Sequence, residues 1–323
     1  MLGQKYSVYE KIIQKIKQAK HIALMSHKNP DIDTIGSSTA CYQAIQDNFL
    51  YKKVDLICVD KIPQKYGFLA HIEKFKQEFY PKNYDLIIFF DSGSKTQTGF
   101  DEKFPELFDG KTYNTLSIDH HITNELYAKQ NILNTSYSST TMIVFEILLL
   151  TQMKISKQTA THLLAGIYTD TGGFKHSNTN EVTYLLAGKL IELWADFEKI
   201  VDKFFKNNSL STIKLWWKIL SDSFIDEKWV LYSYVNKSML ESFWAHYEDI
   251  SGVVDYLNMS EWITYSALLT QKWEYVKASL RTLRDDIDLT QIAKQFDGGW
   301  HKKASWFTTK AQLEEIKSFN LKI

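Results

Sequence analysis

Short apolar runs alternate with helical segments through the first two thirds of the chain, and this alternation strongly constrains the fold. The runs Ile22–Met25, Val54–Val59, Leu86–Phe90 and Leu116–Ile118 have the length and composition of buried strands. Parallel neighbours need a long crossover, usually a helix, so strands that alternate with helices indicate a parallel sheet. The sequence therefore predicts an α/β fold for its N-terminal part.

The spacing of apolar residues also predicts the helices and a change of domain. Helices are expected at 7–20, 34–45, 64–78, 138–150, 159–168 and 181–206. After a polar stretch at Asn207–Ser209, strands are expected at 230–235, 264–269 and 275–280, with helices at 238–243, 249–258, 289–296 and 310–318. We therefore expect an α/β catalytic domain at 1–200, a linker at 201–211 and a smaller α/β domain at 212–323.

Bulk composition excludes several classes of protein. The net charge of +0 gives no broad cationic field, so a stable complex with a long nucleic acid is not expected. Cys41 and Cys58 are the only cysteines, which argues against a disulfide framework and favours the cytoplasm. No apolar run reaches about 18 residues and the N-terminus lacks a signal-peptide pattern, so no membrane association is expected.

Acidic or imidazole side chains follow several of these elements directly. Taken singly, each is as easily a helix cap, a turn former or a solvated residue. Ligands of an open parallel sheet bind beyond the carboxyl ends of its strands, so together these side chains are expected to converge. The residues are His27, Asp31 and Asp33 after the first run, Asp91 after the third, Asp119, His120 and His121 after the fourth, and Asp170 after the 159–168 helix.

This donor set predicts a metal centre. Carboxylate and imidazole groups without thiolates suit Mn²⁺ or Mg²⁺. Crowded carboxylates repel one another unless cations neutralise them. Two divalent ions about 3.5–4 Å apart are a common arrangement for phosphoester hydrolysis, because they activate water and neutralise the attacked phosphate.

The joint pattern resembles the successive motifs of the DHH phosphoesterases, and two C-terminal segments are similar to their DHHA1 substrate domain. The resemblance covers nearly the whole chain in order. Within that family, the two-domain size resembles the nanoRNase/pAp phosphatases. This resemblance implies hydrolysis of very short RNAs (nanoRNA) to mononucleotides and removal of phosphate from adenosine 3′,5′-bisphosphate (pAp). The matching segments are His27–Asp33, Asp91–Ser92, Asp119–His121 and Gly166–Thr171, followed by Ser279–Thr282 and Gly298–Lys302.

The resemblance also implies a role for each residue. It implies two divalent cations, with Mn²⁺ favoured and Mg²⁺ as the alternative. His27 and Asp31 would bind one ion, and Asp33, His120 and Asp170 would bind the other. Asp91 would bridge both ions. Asp91 and His121 are the expected catalytic residues, and His121 would sit beside the phosphate. Substrate would further contact Asn29, Ser279, Arg281, Gly298, Gly299 and His301. Ile32 departs from the family, which commonly has glycine there, so this turn must avoid positive φ or bear strain.

Several alternatives stay open. A phosphodiesterase for cyclic di-AMP or its linear product pApA would carry the same motifs. A RecJ-like exonuclease would be longer, an inorganic pyrophosphatase would lack the Gly-Gly-X-His pattern, and a non-catalytic nucleotide sensor would not need all six ligands. The expected partners are short RNA or dinucleotide substrates and pAp, and a homodimer is left open.

The distribution of tryptophan is unusual. All nine tryptophans lie in 194–323, which holds only three of the thirteen glycines. Trp300 falls where the resembling family has a third glycine before its histidine, and Trp306, Trp194, Trp229 and Trp273 also occupy positions where glycine would fit. Some genomes read the UGA codon as glycine and others as tryptophan. We therefore hypothesise that these residues are misread glycines; a genuine Trp216–Trp217 pair and a base-stacking Trp300 are the competing interpretations.

Overall fold

The computed structural model describes residues 2–205, 209–250, 252–260, 262–311 and 313 of the 323-residue chain. The chain divides into two compact units, Met1–Phe204 and Phe205–Ile323. Each unit has its own six-stranded sheet within the described residues. Apolar side chains on both faces of each sheet form separate hydrophobic cores.

A sheet of parallel strands forms the centre of the first unit. Neighbours pair in the order β3-β2-β1-β4-β5-β6, and every pair is parallel. β4 is buried along its whole length, as expected for a strand covered on both faces. The predicted α/β fold is confirmed. The strands are β1 (His21–Met25), β2 (Lys53–Ile57), β3 (Phe75–Lys76), β4 (Leu86–Phe90), β5 (Thr115–Asp119) and β6 (Gln130–Leu133).

Helices cover this sheet and begin at capping side chains. Asp31, Ser139 and Ser156 are the N-caps of α2, α3 and α4, and each side chain accepts a hydrogen bond from the first turn. Alternate residues of β4 face opposite cores, with Ile88 on one side and Phe89 on the other. The helices are α1 (Leu2–Gln18), α2 (Ile32–Asn48), α3 (Thr140–Leu150), α4 (Lys157–Asp170), α5 (Glu181–Glu192) and α6 (Phe197–Phe205).

Two helix predictions for this unit are wrong. The segment 64–78 holds two short 3₁₀ turns and β3, because His71 has a φ of 71°, which an α-helix cannot accommodate. The segment 181–206 is two helices, α5 and α6, because Trp194 between them has a φ of 65° and ends α5. Apolar spacing continues across both breaks, so the pattern alone did not reveal them.

The second unit has a mixed sheet in the order β11-β12-β10-β9-β8-β7. β8 and β9 are parallel, and the other neighbouring strands are antiparallel. Helices pack on the sheet, so the predicted smaller α/β architecture is confirmed. The elements are α7 (Leu210–Ser221), β7 (Phe224–Ile225), β8 (Val230–Val235), α8 (Lys237–Ser242), α9 (Val253–Leu257), β9 (Tyr265–Lys272), β10 (Tyr275–Arg281), α10 (Leu289–Lys294), β11 (Gly299–His301) and β12 (Ala304–Lys310).

Parts of two predictions lie outside the described residues. These are 206–208 within the expected linker, and 312 and 314–318 within the helix expected at 310–318. Lys310 itself is the last residue of β12. Among the helices described, none has the length and apolar character needed to cross a bilayer.

Candidate metal centre

The strand order of the first unit reverses between β1 and β4. From β1 the sheet continues through β2 and β3 on one side, whereas β4, β5 and β6 lie on the other. Loops that follow two such neighbouring strands diverge and leave a crevice at the carboxyl edge. Residues 26–33 follow β1 and Asp91 follows β4, so the fold places these acidic segments at the crevice.

The loop after β1 brings three of the predicted ligands to the start of α2. Asp31 caps the helix, and its Oδ1 accepts hydrogen bonds from the backbone N–H groups of Asp33 and Thr34. Asp33 is fully buried in the first helical turn. His27 Nε2 lies 3.8 Å from Asp31 Oδ1 and 3.6 Å from Asp91 Oδ2. The helix start therefore gathers carboxylates beside an imidazole.

Two other residues of this loop shape the turn. Asn29 has a φ of 51°, and its backbone N–H donates to Asp60 Oδ2. Ile32 is the first residue of α2 and is buried. Its helical conformation avoids the positive φ that glycine would permit, so the departure from the family pattern leaves the turn intact.

Asp91 occupies an unusual backbone position at the end of β4. Its φ of 58° lies in the left-handed region, and the residue is 3% exposed. Asp91 Oδ1 accepts a hydrogen bond from the Thr140 hydroxyl and lies 3.6 Å from both His120 Nε2 and His121 Nδ1. Backbone strain of this kind persists where the surroundings fix a residue. Here it places one carboxylate among three imidazoles, those of His27, His120 and His121.

The end of β5 supplies the other side of the cluster. Asp119 Oδ1 accepts hydrogen bonds from the His120 backbone N–H and from His121 Nδ1, both at 2.8 Å. His120 Nε2 lies 3.2 Å from Oδ2 of Asp170, the last residue of α4. The structure thus brings together the residues expected to bind metal or act in catalysis: His27, Asp31, Asp33, Asp91, His120, His121 and Asp170.

Three groups of donor atoms in this cluster lie close enough together to hold a metal ion. Within each group the nitrogen and oxygen atoms lie within 4.8 Å of one another. Asp91 belongs to all three groups, so its carboxylate stands where a ligand shared by two ions would stand. Oxygen and imidazole donors fit Mn²⁺ or Mg²⁺. The groups are His27–Asp31–Asp91, Asp33–Asp91–His120 and Asp91–Asp119–His121.

The charges of the cluster explain why cations would bind. Burial and the charges of Asp91 and Asp170 raise the pKa of Asp33 well above its usual value. Burial disfavours charged His27, but its hydrogen bond to Asp91 and the charges of Asp31 and Asp91 outweigh burial and raise its pKa to about 9. In the absence of metal, protons on these groups balance the carboxylates. Divalent cations would displace those protons, since metal binding and protonation compete.

Helix α3 contributes groups that sequence reasoning missed. The backbone N–H groups of Thr140 and Thr141 donate to the two carboxylate oxygens of Asp33, and the Thr141 hydroxyl donates to Oδ1. With its bond to Asp91, Thr140 therefore fixes two proposed ligands from a distant part of the chain. Ser139–Thr141 before an apolar run was the available signal, and that signal indicates a helix cap rather than a site.

Two glycines let α4 approach the cluster. A Cβ at Gly166 would lie 2.5 Å from the Thr141 side chain and 2.6 Å from Asp33 Oδ1. A Cβ at Gly36, on α2, would lie 2.6 Å from the carbonyl oxygen of His162 on α4. Because both positions lack a side chain, α2 and α4 pack closely and Asp170 reaches His120.

The predicted substrate-binding residues of the second unit lie on or beside β10 and β11. Arg281 Nε donates to Asp255 Oδ1 at 3.1 Å, which holds the guanidinium at the end of β10. Ser279, two residues earlier, shares the same face of the strand. Gly298 allows a close approach, because a Cβ there would lie 2.2 Å from the Trp306 carbonyl oxygen. Gly299 and His301 pair with β12.

Trp300 also lies on β11, where it pairs with Ser305. The base-stacking interpretation of Trp300 concerns a side chain outside the described part of the structure.

Comparison with known proteins identifies the class. Residues 21–167 match the DHH family, N-terminal domain. This stretch runs from β1 into α4 and holds the clustered acidic and histidine residues other than Asp170. Residues 21–167 therefore form a DHH-family domain, and the chain is a hydrolase of the metal-dependent phosphoesterase class.

Relatives agree with the chain over nearly its full length. The bifunctional oligoribonuclease and PAP phosphatase NrnA of Mycoplasma genitalium is 26% identical over 312 residues, which cover 95% of this chain and 94% of that protein. Its Bacillus subtilis namesake is 24% identical over 297 residues, 91% of each chain. The crystal structure of an exopolyphosphatase-related protein from Bacteroides fragilis matches with a TM-score of 0.86 at 24% identity, over 97% of this chain and 94% of that one. That match shows a shared fold.

Proposed function

We propose that this phosphoesterase hydrolyses short oligoribonucleotides to mononucleotides and removes the 3′-phosphate of pAp to give AMP. The observation that carries the proposal is the position of Asp91, whose carboxylate belongs to ligand groups on both sides of the cluster. Relatives named as oligoribonuclease and PAP phosphatase cover more than nine tenths of the chain and support this substrate class.

The proposed ligands divide into two sets. His27 and Asp31 would hold one divalent cation, and Asp33, His120 and Asp170 the other, with Asp91 shared. When bound, such a pair of ions supplies an activated water and neutralises the attacked phosphate. Mn²⁺ is the proposed ion and Mg²⁺ the alternative, because both accept carboxylate oxygens.

His121 is proposed to act on the reacting phosphate. Its Nδ1 faces Asp119 Oδ1 at 2.8 Å, so Nε2 is the ring atom that would contact a phosphate oxygen or pass a proton to the leaving oxygen. Asn29 would contact substrate from the neighbouring loop.

The second unit is proposed to bind the rest of the substrate. Lys277, Ser279 and Arg281 alternate along β10 and share one face of the sheet. Two cations and a hydroxyl on one face suit a second phosphate, and Arg281 can offer it two parallel hydrogen bonds. Gly298, Gly299 and His301 would contact the same part of a short nucleotide.

The cytoplasm is the proposed compartment. Cys41 and Cys58 are both buried free thiols, which suits a reducing environment.

A side-by-side assay tests the proposed activity. Purified protein is given Mn²⁺ and pApA, a pentamer RNA, pAp or cyclic di-AMP, and released mononucleotide or phosphate is measured. We expect turnover of the first three and none by Asp91→Asn. Faster hydrolysis of cyclic di-AMP than of pApA and RNA would favour the cyclic dinucleotide alternative. No turnover of any substrate would refute the proposal.

A further inference from the structure

Three side chains form a hydrogen-bonded chain beside the metal cluster. Asn124 Nδ2 donates to Asp119 Oδ2 at 2.6 Å, and Asp119 Oδ1 accepts from His121 Nδ1 at 2.8 Å. Asp119 is fully buried, and its Oδ1 also accepts from the His120 backbone N–H. Because its two oxygens accept three hydrogen bonds, Asp119 is better suited to orienting His121 than to binding an ion.

The amide of Asn124 can face Asp119 in only one way. Its Oδ1 accepts a 2.7 Å hydrogen bond from the backbone N–H of Leu126, and its own backbone N–H donates to the His121 carbonyl. Since the amide oxygen already faces a donor, the NH₂ group must face Asp119. Asp119 is thereby held as an acceptor toward both neighbours.

We propose that Asn124 and Asp119 are positioning residues that fix the tautomer and orientation of His121, with Nδ1–H toward Asp119. This role rests on the proposed function. Where a carboxylate holds a catalytic imidazole in one tautomer in serine proteases, its conversion to an amide lowers kcat by about 10⁴.

A swap of the two side chains tests this role. In Asp119→Asn, the new amide has two possible orientations. In one, its NH₂ group faces the NH₂ group of Asn124; in the other, its NH₂ group faces Nδ1–H of His121. Either arrangement disturbs the imidazole. In the double variant Asp119→Asn/Asn124→Asp, the new amide donates to the new carboxylate and again presents its oxygen to His121. The swap reverses the hydrogen bond between residues 119 and 124, and it also removes the longer, 3.3 Å bond from Asn124 Nδ2 to the Ser92 carbonyl.

We expect kcat for pApA to fall by about 10²–10⁴ in Asp119→Asn, with KM and the Mn²⁺-induced rise in melting temperature unchanged. The kcat of the double variant should be at least about ten times that of Asp119→Asn. Unchanged kcat, loss of the Mn²⁺ effect, or no recovery in the double variant would overturn the positioning role. A wild-type enzyme inactive on every substrate would instead overturn the proposed function.

A separate observation concerns five tryptophans among the described residues. Their φ angles are positive, in the left-handed region, and their side chains are between 58% and 93% exposed. A bulky residue in this region is an outlier, and no indole here is packed well enough to hold the backbone there. The residues are Trp194 (65°), Trp229 (61°), Trp244 (53°), Trp262 (74°) and Trp273 (58°).

Two of the five occupy helix ends that glycine normally forms. The backbone N–H of Trp194 donates to the Ile191 carbonyl, and that of Ala195 donates to the Leu190 carbonyl. This pair of bonds defines a Schellman motif, whose left-handed residue is usually glycine. Trp244 follows α8 with the same two bonds.

Two more occupy hairpin turns. Trp229 lies between β7 and β8. Its backbone N–H donates to the Asp226 carbonyl, and the backbone N–H of Asp226 donates to the Val230 carbonyl. That is the place of a left-handed bulge residue after a tight turn. Trp273 is the first of two residues that link the Lys272–Tyr275 pair. Both turn types favoured in two-residue hairpins need positive φ there, which glycine supplies.

Other tryptophans behave differently. Trp216 lies on α7, its indole N–H donates to the Asp249 carbonyl at 2.6 Å, and its ring packs on Tyr256. Trp306 lies on β12, and Lys277 Nζ is 5.1 Å from its ring centroid. The strand backbone gives no reason for glycine at Trp300 or Trp306, so the hypothesis is dropped for these two. It is kept for Trp194, Trp229 and Trp273, and Trp244 and Trp262 are added to it.

We infer that residues 194, 229, 244, 262 and 273 are glycine in the protein made by the source cell. A single codon, read as tryptophan in this sequence and as glycine in that cell, accounts for all five. Trp216 is assigned to an ordinary tryptophan codon.

The coding DNA and a stability measurement test this inference. We expect UGA at the five positions and UGG at Trp216. Replacing all five by glycine should raise the melting temperature of the expressed protein by about 10 °C, because four of them strain the second unit. Trp216→Gly, the matched control, should lower it. UGG at the five positions, or a lower melting temperature of the fivefold variant, would overturn the inference.

Discussion

Removal of the Asp91 carboxylate should remove most of the stabilisation of the first unit by divalent metal. Oxygens of Asp91 lie within 4.8 Å of donor atoms from two separate ligand groups. At that separation two carboxylates repel by about 3.5 kcal/mol at an effective dielectric constant of about 20. Cations that relieve this repulsion bind the folded state and not the unfolded one, so they raise the free energy of unfolding.

The expected size follows from mass action. Each ion at about 100 times its Kd adds about 2.7 kcal/mol, so two ions add about 5 kcal/mol. For a unit the size of Met1–Phe204, each kcal/mol moves the melting temperature by about 2–4 °C, which gives a total shift of about 10–20 °C. Asp91→Asn removes the shared ligand from both groups, so we expect it to lose most of the shift.

Differential scanning calorimetry with EDTA or with Mn²⁺ measures this shift in each variant. Because each variant is compared with itself, its own metal-free stability cancels. Asp101→Asn, a partly exposed residue outside the donor groups, is the matched control and should keep the full shift. A wild-type protein that Mn²⁺ does not stabilise, or an Asp91→Asn variant that keeps the full shift, would refute the reasoning.

Three further changes have defined outcomes. Gly166→Ala should cost about 1–3 kcal/mol and weaken the Mn²⁺ shift, because the added Cβ meets Asp33 Oδ1; equal thermal melts would contradict this. Burial lowers the pKa of His162 to about 3, so only the unfolded chain binds this proton below about pH 6.5. The contribution of neutral His162 to the free energy of unfolding is complete above pH 6.5, and it falls by about 2 kcal/mol by pH 5. Urea titrations of the His162→Gln variant should not show that fall. Arg281→Lys should raise KM for pAp about tenfold at similar kcat, because lysine cannot form the paired hydrogen bonds; an unchanged KM would argue against phosphate binding there.

The sequence predicted the central sheet well because its signals are local. Apolar runs of strand length, each followed by polar or acidic residues, gave β1, β4 and β5 and the loops after them. The same logic placed Asp91 and His120 at one edge of a sheet, since parallel strands share their carboxyl ends. The structure adds the strand order, which puts the reversal between β1 and β4.

Features that depend on backbone conformation or distant partners escaped prediction. Nothing local shows that Asp91 has positive φ, or that Thr140 and Thr141 reach back to Asp33. The sequence marks Trp194 as a position where glycine would fit, but a tryptophan is not itself a signal that ends a helix. Apolar spacing alone therefore extended one helix across two.

The central claim is that this chain holds two divalent cations bridged by Asp91. Anomalous diffraction from a crystal grown with Mn²⁺ tests it most directly. We predict two peaks about 3.5–4 Å apart, one beside His27 and Asp31 and the other beside Asp33, His120 and Asp170, with Asp91 between them. A single peak, or two peaks that do not share Asp91, would contradict the account.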